Sequence, residues 1–148
     1  MPEKETLERA KEDKREGKAP STQAGEFVRE EIEHIRAGKH GARSARQAIA
    51  IGLSKARRAG VDLPPPEKGE ASTETRRQAA RDVRKGESPG KAVKSAKRSR
   101  AAVRTLKREG HSAASRTALS RHAKSAAAKR SAASRSRSAK KAAATRKK

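Results

Sequence analysis

Large apolar side chains are scarce in this chain and concentrated in one stretch, and this distribution constrains its fold more than any other feature. Leu, Ile, Val and Phe together number 15 of 148 residues, and nine of these lie between Phe27 and Leu63. Most other apolar residues are alanine, which favours helix but buries little area. The sequence therefore predicts one small core, within residues 27–63. So few apolar side chains bury too little surface to offset the conformational entropy that ordering the whole chain would cost.

The first helix of this core is predicted at about residues 22–37. Ser21 or Thr22 is expected to cap its start, and Pro20 to stop the helix before it. Gly38 is expected to end it. Its apolar side chains recur at helical spacing and form one stripe, which consists of Ala24, Phe27, Val28, Ile32 and Ile35.

The segment ARQAIAIGLSKARRAG predicts the second helix, at about residues 45–59. Ser44 followed by Gln47 forms a capping box, and Gly60 stands where a left-handed glycine closes a helix. Small residues such as Gly52 lie on its apolar face and allow another helix to approach closely. We expect the two helices to form a hairpin whose core contains Phe27, Val28, Ile32, Ile35, Ile49 and Leu53.

A charge-rich helix is predicted before the hairpin, and a proline-rich segment after it. Residues 3–16 carry charges on every face, so this helix is expected to depend on local ion pairs. Three consecutive prolines at 64–66 predict a stiff, extended spacer. The predicted divisions are a charged helix over 1–20, a hairpin module over 21–62, a linker over 63–72 and a basic region over 73–148, which is of low complexity from about 110.

Four links between predicted helices share one pattern. REGKAPST, RAGKHGARS, RKGESPGK and REGHSAAS each contain a basic residue, a glycine two positions later, and a Ser or Thr suited to capping the next helix. They predict that Gly17, Gly38, Gly86 and Gly110 separate successive helices. A true sequence repeat and the ordinary punctuation of a helical protein are both open as explanations.

Charge divides the chain at the proline segment. Residues 1–70 have 15 Lys and Arg against 13 Asp and Glu, whereas residues 71–148 have 25 against four. Ser88 and Pro89 predict the start of a basic helix that extends to about residue 109. The residues after it are expected to be disordered alone and to become helical when a polyanion neutralises their charges. The expected fold class is therefore all-α, with a conditionally ordered basic tail.

This basic region is expected to bind polyanions, nucleic acid first and an anionic membrane surface second. With one Phe and no Trp or Tyr, the chain lacks aromatic platforms for stacking bases, so binding is expected to be salt-sensitive and nearly independent of sequence. DNA is favoured as the target, with RNA as the alternative. The expected phosphate-binding residues are Arg76, Arg77, Arg81, Arg84, Lys85, Lys91, Lys94, Lys97, Arg98, Arg100, Arg104, Lys107, Arg108, Arg116, Arg121, Lys124, Lys129, Arg130, Arg135, Arg137, Lys140 and Lys141, with additional contacts from Lys55, Arg57 and Arg58.

The sequence predicts no catalytic site, no metal site and no cofactor. The sequence has no cysteine and no phosphate-binding glycine loop, and its four histidines are scattered. His34, beside Glu30 and Glu31, is interpreted as a surface histidine on a solvated acidic helix face that also includes Glu33. The charged start is unlike a signal peptide, and no segment approaches the roughly 20 apolar residues of a membrane span. A cytoplasmic, nucleoid-associated protein is therefore expected.

The segment QAIAIGLS resembles the signature of a family of small, basic, uncharacterised bacterial proteins that share a Gln-Ala-Ile-Ala-Ile-small-Leu-Ser helix. The preceding GKHG is similar to that family's approach to the helix, and the resemblance covers about residues 20–62. It implies a DNA-binding or unknown function and brings no catalytic residues. The tail separately resembles the basic arms of linker-histone-like bacterial proteins. The residues that match the signature are Gln47, Ala48, Ile49, Ala50, Ile51, Gly52, Leu53 and Ser54.

Three hypotheses for function follow. The first is a non-enzymatic, histone-like DNA-binding protein, in which the hairpin of residues 22–60 mediates folding and self-association. The second is a basic protein associated with RNA or the ribosome, because composition does not separate duplex DNA from structured RNA. The third is a plasmid-maintenance or antitoxin-like regulator, whose N-terminal helices bind a protein partner.

Overall fold

The computed structural model describes residues 1–88 and 95–146. These residues form seven α-helices and one short 3₁₀ helix, with no β-strand, so the predicted all-α class is confirmed. The helices are α1 (Lys4–Arg15), α2 (Pro20–Arg36), α3 (Ala45–Arg58), α4 (Thr73–Glu87), α5 (Ala96–Lys107), α6 (Arg116–Ala128) and α7 (Ala132–Arg146), and the 3₁₀ helix spans Ser112–Ala114 between α5 and α6.

The predicted hairpin is formed by α2 and α3, which pack against each other more extensively than any other two described helices. The Ser44 hydroxyl accepts a hydrogen bond from the backbone N–H of Gln47 at 3.2 Å. The Gln47 side chain in turn accepts one from the backbone N–H of Arg43 at 2.7 Å. Gly60 has a φ of +88°, as a left-handed glycine after a helix requires. The Ser44 cap and the glycine stop are therefore confirmed, whereas the reciprocal bond of the predicted capping box comes from the N–H of Arg43 and not from that of Ser44.

The start of α2 was predicted wrongly. Pro20 is the first residue of α2 and does not stop the preceding helix. Neither Ser21 nor Thr22 caps α2, since Ala19 occupies the cap position and makes no side-chain hydrogen bond. Proline suits the first helical position because its fixed φ fits there and the N–H that it lacks would have no intrahelical partner. This preference outweighs the capping tendency of the hydroxyl residues.

At Gly52, α3 approaches α2 closely. A Cβ on Gly52 would lie 2.6 Å from the Cα of Val28, so no other residue fits without moving a helix backbone. The small residues on the apolar face of α3 therefore allow the close approach that was predicted. Of the six expected core residues, Phe27, Ile32 and Ile35 are buried, whereas Val28, Ile49 and Leu53 are half-buried.

The core consists of two clusters, and each is completed by a segment from outside the hairpin. One cluster contains Ala10, Ala24, Phe27 and Ala56, with Leu7, Leu53, Val61 and Leu63 packed against it. The other contains Ile32, Ile35, Ala42, Ala48, Ala113 and Ala114, with Val28 and Leu119 packed against it. Thus α1 completes the first cluster, and the 3₁₀ helix and α6 complete the second.

Although only local ion pairs were expected to hold α1, this helix packs against α2. Its buried residues are Thr6, Ala10 and Asp13, which are small or polar. The Arg9 guanidinium also donates a hydrogen bond to the Glu26 carboxylate at 2.6 Å. A buried face made of such residues has no large apolar stripe, and this is why the sequence pattern did not predict the contact.

The proline segment is hydrogen-bonded to helices at both of its ends. Arg57, which is only 8% exposed, donates to the carbonyl oxygen of Leu63 at 3.1 Å and to that of Pro64 at 3.3 Å. At the other end, Arg76 of α4 donates to the carbonyl oxygen of Pro66 at 3.2 Å. The segment thereby returns the chain to the hairpin, and α4 packs against α3.

Gly86 was predicted to end a helix, but it lies within α4, which continues to Glu87. A Cβ on Gly86 would lie 2.1 Å from the carbonyl oxygen of Arg57, so this glycine permits contact between the two helices. The predicted stops at Gly17 and Gly38 are confirmed by their φ values of +71° and +73°. Gly110 lies in the link between α5 and the 3₁₀ helix, as predicted.

The chain after α5 returns to the hairpin. The backbone N–H of Ala42 donates to the carbonyl oxygen of Gly110 at 3.0 Å. Arg36 of α2 donates to the carbonyl oxygen of Ala114 at 3.0 Å, and Ala114 is fully buried. The segment after α5 therefore packs against the hairpin, although the proline-rich linker separates the two in sequence.

The last three helices have no buried residues. Ser95 caps α5, and Ser115 caps α6, where its hydroxyl accepts from the backbone N–H of Ala118 at 3.1 Å. Ser88 follows the last residue of α4, whereas the helix start predicted at Pro89 lies outside the described residues. The structure describes the tail as α6 and α7, and its predicted dependence on a polyanion stays a prediction.

Candidate nucleic-acid interface

The described cations after Arg58 have no acidic partner. Every ion pair in the described part of the chain either lies within residues 3–58 or joins Arg58 to Asp82. Most of the cations expected to bind phosphate are exposed on α4 to α7 or in the links between these helices, namely Arg77, Arg81, Arg84, Lys85, Lys97, Arg98, Arg100, Arg104, Lys107, Arg108, Arg116, Arg121, Lys124, Lys129, Arg130, Arg135, Arg137, Lys140 and Lys141. Arg76 is half-buried, and Lys91 and Lys94 lie outside the described residues.

The three cations at the end of α3 are already engaged within the fold. The Lys55 ammonium lies 2.7 Å from a carboxylate oxygen of Glu31, and its side chain is 17% exposed. Arg57 is buried, which lowers the pKa of its guanidinium from the ordinary value, although the charge of Asp82 opposes this shift. Arg58 lies 3.7 Å from the same Asp82. These side chains hold α2, the proline segment and α4 to α3, and their expected role as phosphate contacts stays a prediction.

The acidic face of α2 is largely buried and not solvated, so that part of the interpretation was wrong. Glu30 is 2% exposed and Glu31 is fully buried. Only Glu33 behaves as expected, because it is exposed and pairs with Arg29 at 3.0 Å. The reason is that α1 covers one side of α2 while α3 covers another, whereas the sequence pattern indicated a single packed face.

Glu30 remains ionised in this environment because its carboxylate is well hydrogen-bonded. Burial raises the pKa of Glu30, but the backbone N–H of Glu3, the Thr6 hydroxyl and the Lys55 ammonium together lower it below the ordinary value. The Glu3 N–H donates at 3.0 Å and Lys55 at 3.3 Å. This carboxylate therefore ties α1, α2 and α3 together.

A shallow groove brings two arginines of the hairpin next to α6. Arg43 and Arg46, at the start of α3, lie on one side of a cavity of about 310 Å³, and Arg121 and His122 of α6 lie on the other. Arg121 also lines a neighbouring groove of about 430 Å³ that runs along α6 past Arg116 and Lys124. The two grooves are open and basic, and they meet at one arginine.

Arg43 and Arg46 were not among the residues expected to bind phosphate. Both are exposed, and neither forms an ion pair in the described part of the chain. The sequence does carry a signal for them, because no acid occurs between Glu33 and Asp62. They flank the start of α3, with Arg43 before the cap residue Ser44 and Arg46 in the first turn, so the positive end of the helix dipole adds to the groove.

Comparison with known families finds one similarity. Residues 13–68 match a family described as Family of unknown function (DUF6496). The match covers the end of α1, the α2–α3 hairpin and most of the proline segment, and it ends before α4. No curated protein and no solved structure matches the chain. The matched residues are thus those of the hairpin core, and most of the exposed cations lie outside them.

Two further properties of the described residues bear on function. Ligand atoms of Glu31, His34 and His40 lie within 4.8 Å of one another, an arrangement that could hold a metal ion. No helix in the described ranges is long and apolar enough to cross a membrane.

Proposed function

We propose that this protein is a non-enzymatic, histone-like DNA-binding protein that associates with the nucleoid and holds duplex DNA largely independently of sequence. The observation that carries the proposal is the set of exposed cations on α4 to α7, none of which has an acidic partner among the described residues. In the free protein these charges repel one another. Binding to phosphate relieves that repulsion and releases counterions from the DNA.

The geometry around α6 supports a continuous phosphate path. Arg43, Arg46 and Arg121 converge on one groove, and Arg116 and Lys124 extend it along α6. Contacts of this kind position a protein on the nucleic-acid backbone but do not read bases. The single Phe, Phe27, is buried in the core, and the chain has no Trp or Tyr, so none of these three residue types is available to stack on bases.

Competition binding of the full-length protein tests this proposal. Two duplex DNAs of the same length and unrelated sequence are expected to compete equally for a labelled duplex at moderate salt. A preference of about tenfold or more for one DNA sequence would contradict the proposed mode, because phosphate contacts carry little sequence information. A structured RNA that competes much better than either DNA would instead favour the RNA- or ribosome-associated alternative.

A further inference from the structure

The carboxylate of Glu31 is fully buried, and its neighbours do not satisfy its capacity to accept hydrogen bonds. Neither of its side-chain oxygens receives a hydrogen bond among the described residues. Nε2 of His40 lies 3.2 Å from one oxygen and the Lys55 ammonium lies 2.7 Å from the other, but neither approach has hydrogen-bond geometry. A buried charge in such a state is unfavourable unless another group or ion neutralises it.

A second histidine lies beside this carboxylate. His34, whose side chain is 15% exposed, places Nε2 at 2.8 Å from a Glu3 carboxylate oxygen. Lys39 donates to the same oxygen at 2.9 Å. The hydrogen bonds from Lys39 and His34 lower the pKa of Glu3 to about 2. The rings of His34 and His40 approach edge to face, with centroids 6.3 Å apart.

The hydrogen bond of His40 favours a bound cation. Nδ1 of His40 lies 3.1 Å from the carbonyl oxygen of Gly41, which can only accept a hydrogen bond, so Nδ1 carries the hydrogen. In the neutral ring the lone pair on Nε2 then faces the Glu31 carboxylate, which is repulsive unless a cation lies between them. Donation from the far ring nitrogen to a carbonyl is also how proteins orient metal-binding histidines.

We propose that Glu31, His34 and His40 bind a divalent transition-metal ion of the Zn²⁺ class. Imidazole nitrogen and carboxylate oxygen suit such ions. The ligand atoms of these three residues lie within 4.8 Å of one another. Two ligand atoms that are each about 2.0–2.1 Å from a tetrahedral zinc ion lie about 3.3 Å apart. The separation of 3.2 Å between Glu31 Oε1 and His40 Nε2 meets this requirement.

The ion would join α2 to the link that precedes α3. His40 lies in that link, and the neighbouring Ala42 donates its N–H to Gly110, so the link also contacts the C-terminal half. The ion therefore has a structural role: it stabilises the contact between the hairpin and the segment that leads to α6.

Titration of the metal-stripped, full-length protein with Co²⁺ tests the site, since a Co²⁺ ion bound by nitrogen and oxygen ligands absorbs visible light. We expect saturation at one equivalent, displacement by Zn²⁺, and a higher thermal midpoint with Zn²⁺. In His40→Gln, the affinity should fall by more than the roughly 10- to 100-fold that loss of an outer-shell partner costs. His111→Gln is the matched control, because His111 is exposed and outside the cluster, and it should bind as the unsubstituted protein does.

Several outcomes would overturn the proposal. One is the absence of a spectral change at one equivalent of Co²⁺, and another is equal affinity in His40→Gln and in the unsubstituted protein. A third is an NMR spectrum, recorded with Zn²⁺ at neutral pH, in which both ring nitrogens of His40 carry protons. An imidazolium ring has no lone pair with which to bind a metal ion. Glu31→Gln and His34→Gln are the other ligand variants, and each should also weaken Co²⁺ binding. Should Glu31→Gln fail to fold, His34→Gln still tests the site.

Discussion

Gly52 is the residue that sets how closely α3 lies against α2. A Cβ at this position would lie 2.6 Å from the Cα of Val28. We expect Gly52→Ala to lower the free energy of unfolding by about 1–3 kcal/mol, as overpacking of a well-packed contact does. Urea unfolding followed by circular dichroism measures this change.

Gly25→Ala is the matched control for that substitution. Gly25 also lies within a helix, α2, but no heavy atom lies within 4 Å of the Cβ that it would gain. There the substitution should raise the free energy of unfolding by roughly 0.5–1 kcal/mol, because alanine has the better helix propensity. If both substitutions change stability in the same direction, close packing at Gly52 does not hold the hairpin.

At the residue scale, local features could be predicted and buried charges could not. The Ser44–Gln47 box and the stop at Gly60 depend on backbone groups within one turn, so a short stretch of sequence determines them. The burial of Glu30 depends on α1, whose buried residues show no recognisable apolar pattern, and Glu31 lies against Lys55 of α3 and His40. Glu3, at the start of α1, lies against His34, whose side chain is 15% exposed and not fully on the surface as expected.

At the scale of elements, the contact of α1 with α2 depends on carboxylates. The pKa of Glu3 is lowered from 4.5 to about 2, and that of Glu30 is also lowered. A group whose pKa is lower in the folded state stabilises that state above its unfolded pKa, and this contribution is lost as the pH falls through the folded value. We therefore expect α1 to lose its protection from amide hydrogen exchange between pH 4.5 and about pH 2.

Substitution of Glu3, with a control substitution that changes the charge equally, distinguishes this effect from general acid unfolding of the protein. In Glu3→Gln, α1 should exchange faster at neutral pH and should depend less on pH across that window. Glu8→Gln, which changes an exposed carboxylate of the same helix that forms no ion pair among the described residues, should behave as the unsubstituted protein. Equal pH profiles in all three proteins would show that Glu3 does not hold α1.

Element type was easier to predict than element position. Amphipathic spacing identified α2 and α3, because their stripes are defined by side chains within each helix. The same spacing does not show that Gly86 permits α4 to contact α3. A glycine that allows two helices to touch and one that ends a helix look alike in sequence, and only the distant partner, here the Arg57 carbonyl, separates them.

At the scale of the whole molecule, the two halves of the sequence form one packed unit. Arg36 donates to the carbonyl oxygen of Ala114 across 78 positions of sequence, and Ala113 and Ala114 complete a core cluster. An alanine-rich basic sequence does not predict that this segment packs against the hairpin, because alanine occurs on both buried and exposed helix faces. The groove between α3 and α6 could not be predicted for the same reason.

This packing decides how the proposed function is best tested. A cut at residue 70 would separate α4 from α3 and remove Ala113 and Ala114 from the core, so isolated halves would not report on the folded protein. Substitutions in the full-length chain are therefore preferable. The groove variant replaces Arg43, Arg46 and Arg121 by Gln. The control variant replaces three exposed cations of α1 and α2, namely Lys11, Arg15 and Arg29, and removes the same charge.

The dependence of duplex-DNA affinity on salt is the most direct measurement, because its slope counts the phosphates that the protein neutralises. If about ten phosphates are engaged, the slope of log K against log salt should be near −9. The groove variant should reduce the magnitude of this slope by up to about 2.7, whereas the control variant should leave it nearly unchanged. A shallow slope in the unsubstituted protein, or equal slopes in the two variants, would contradict phosphate binding through the exposed, unpaired cations.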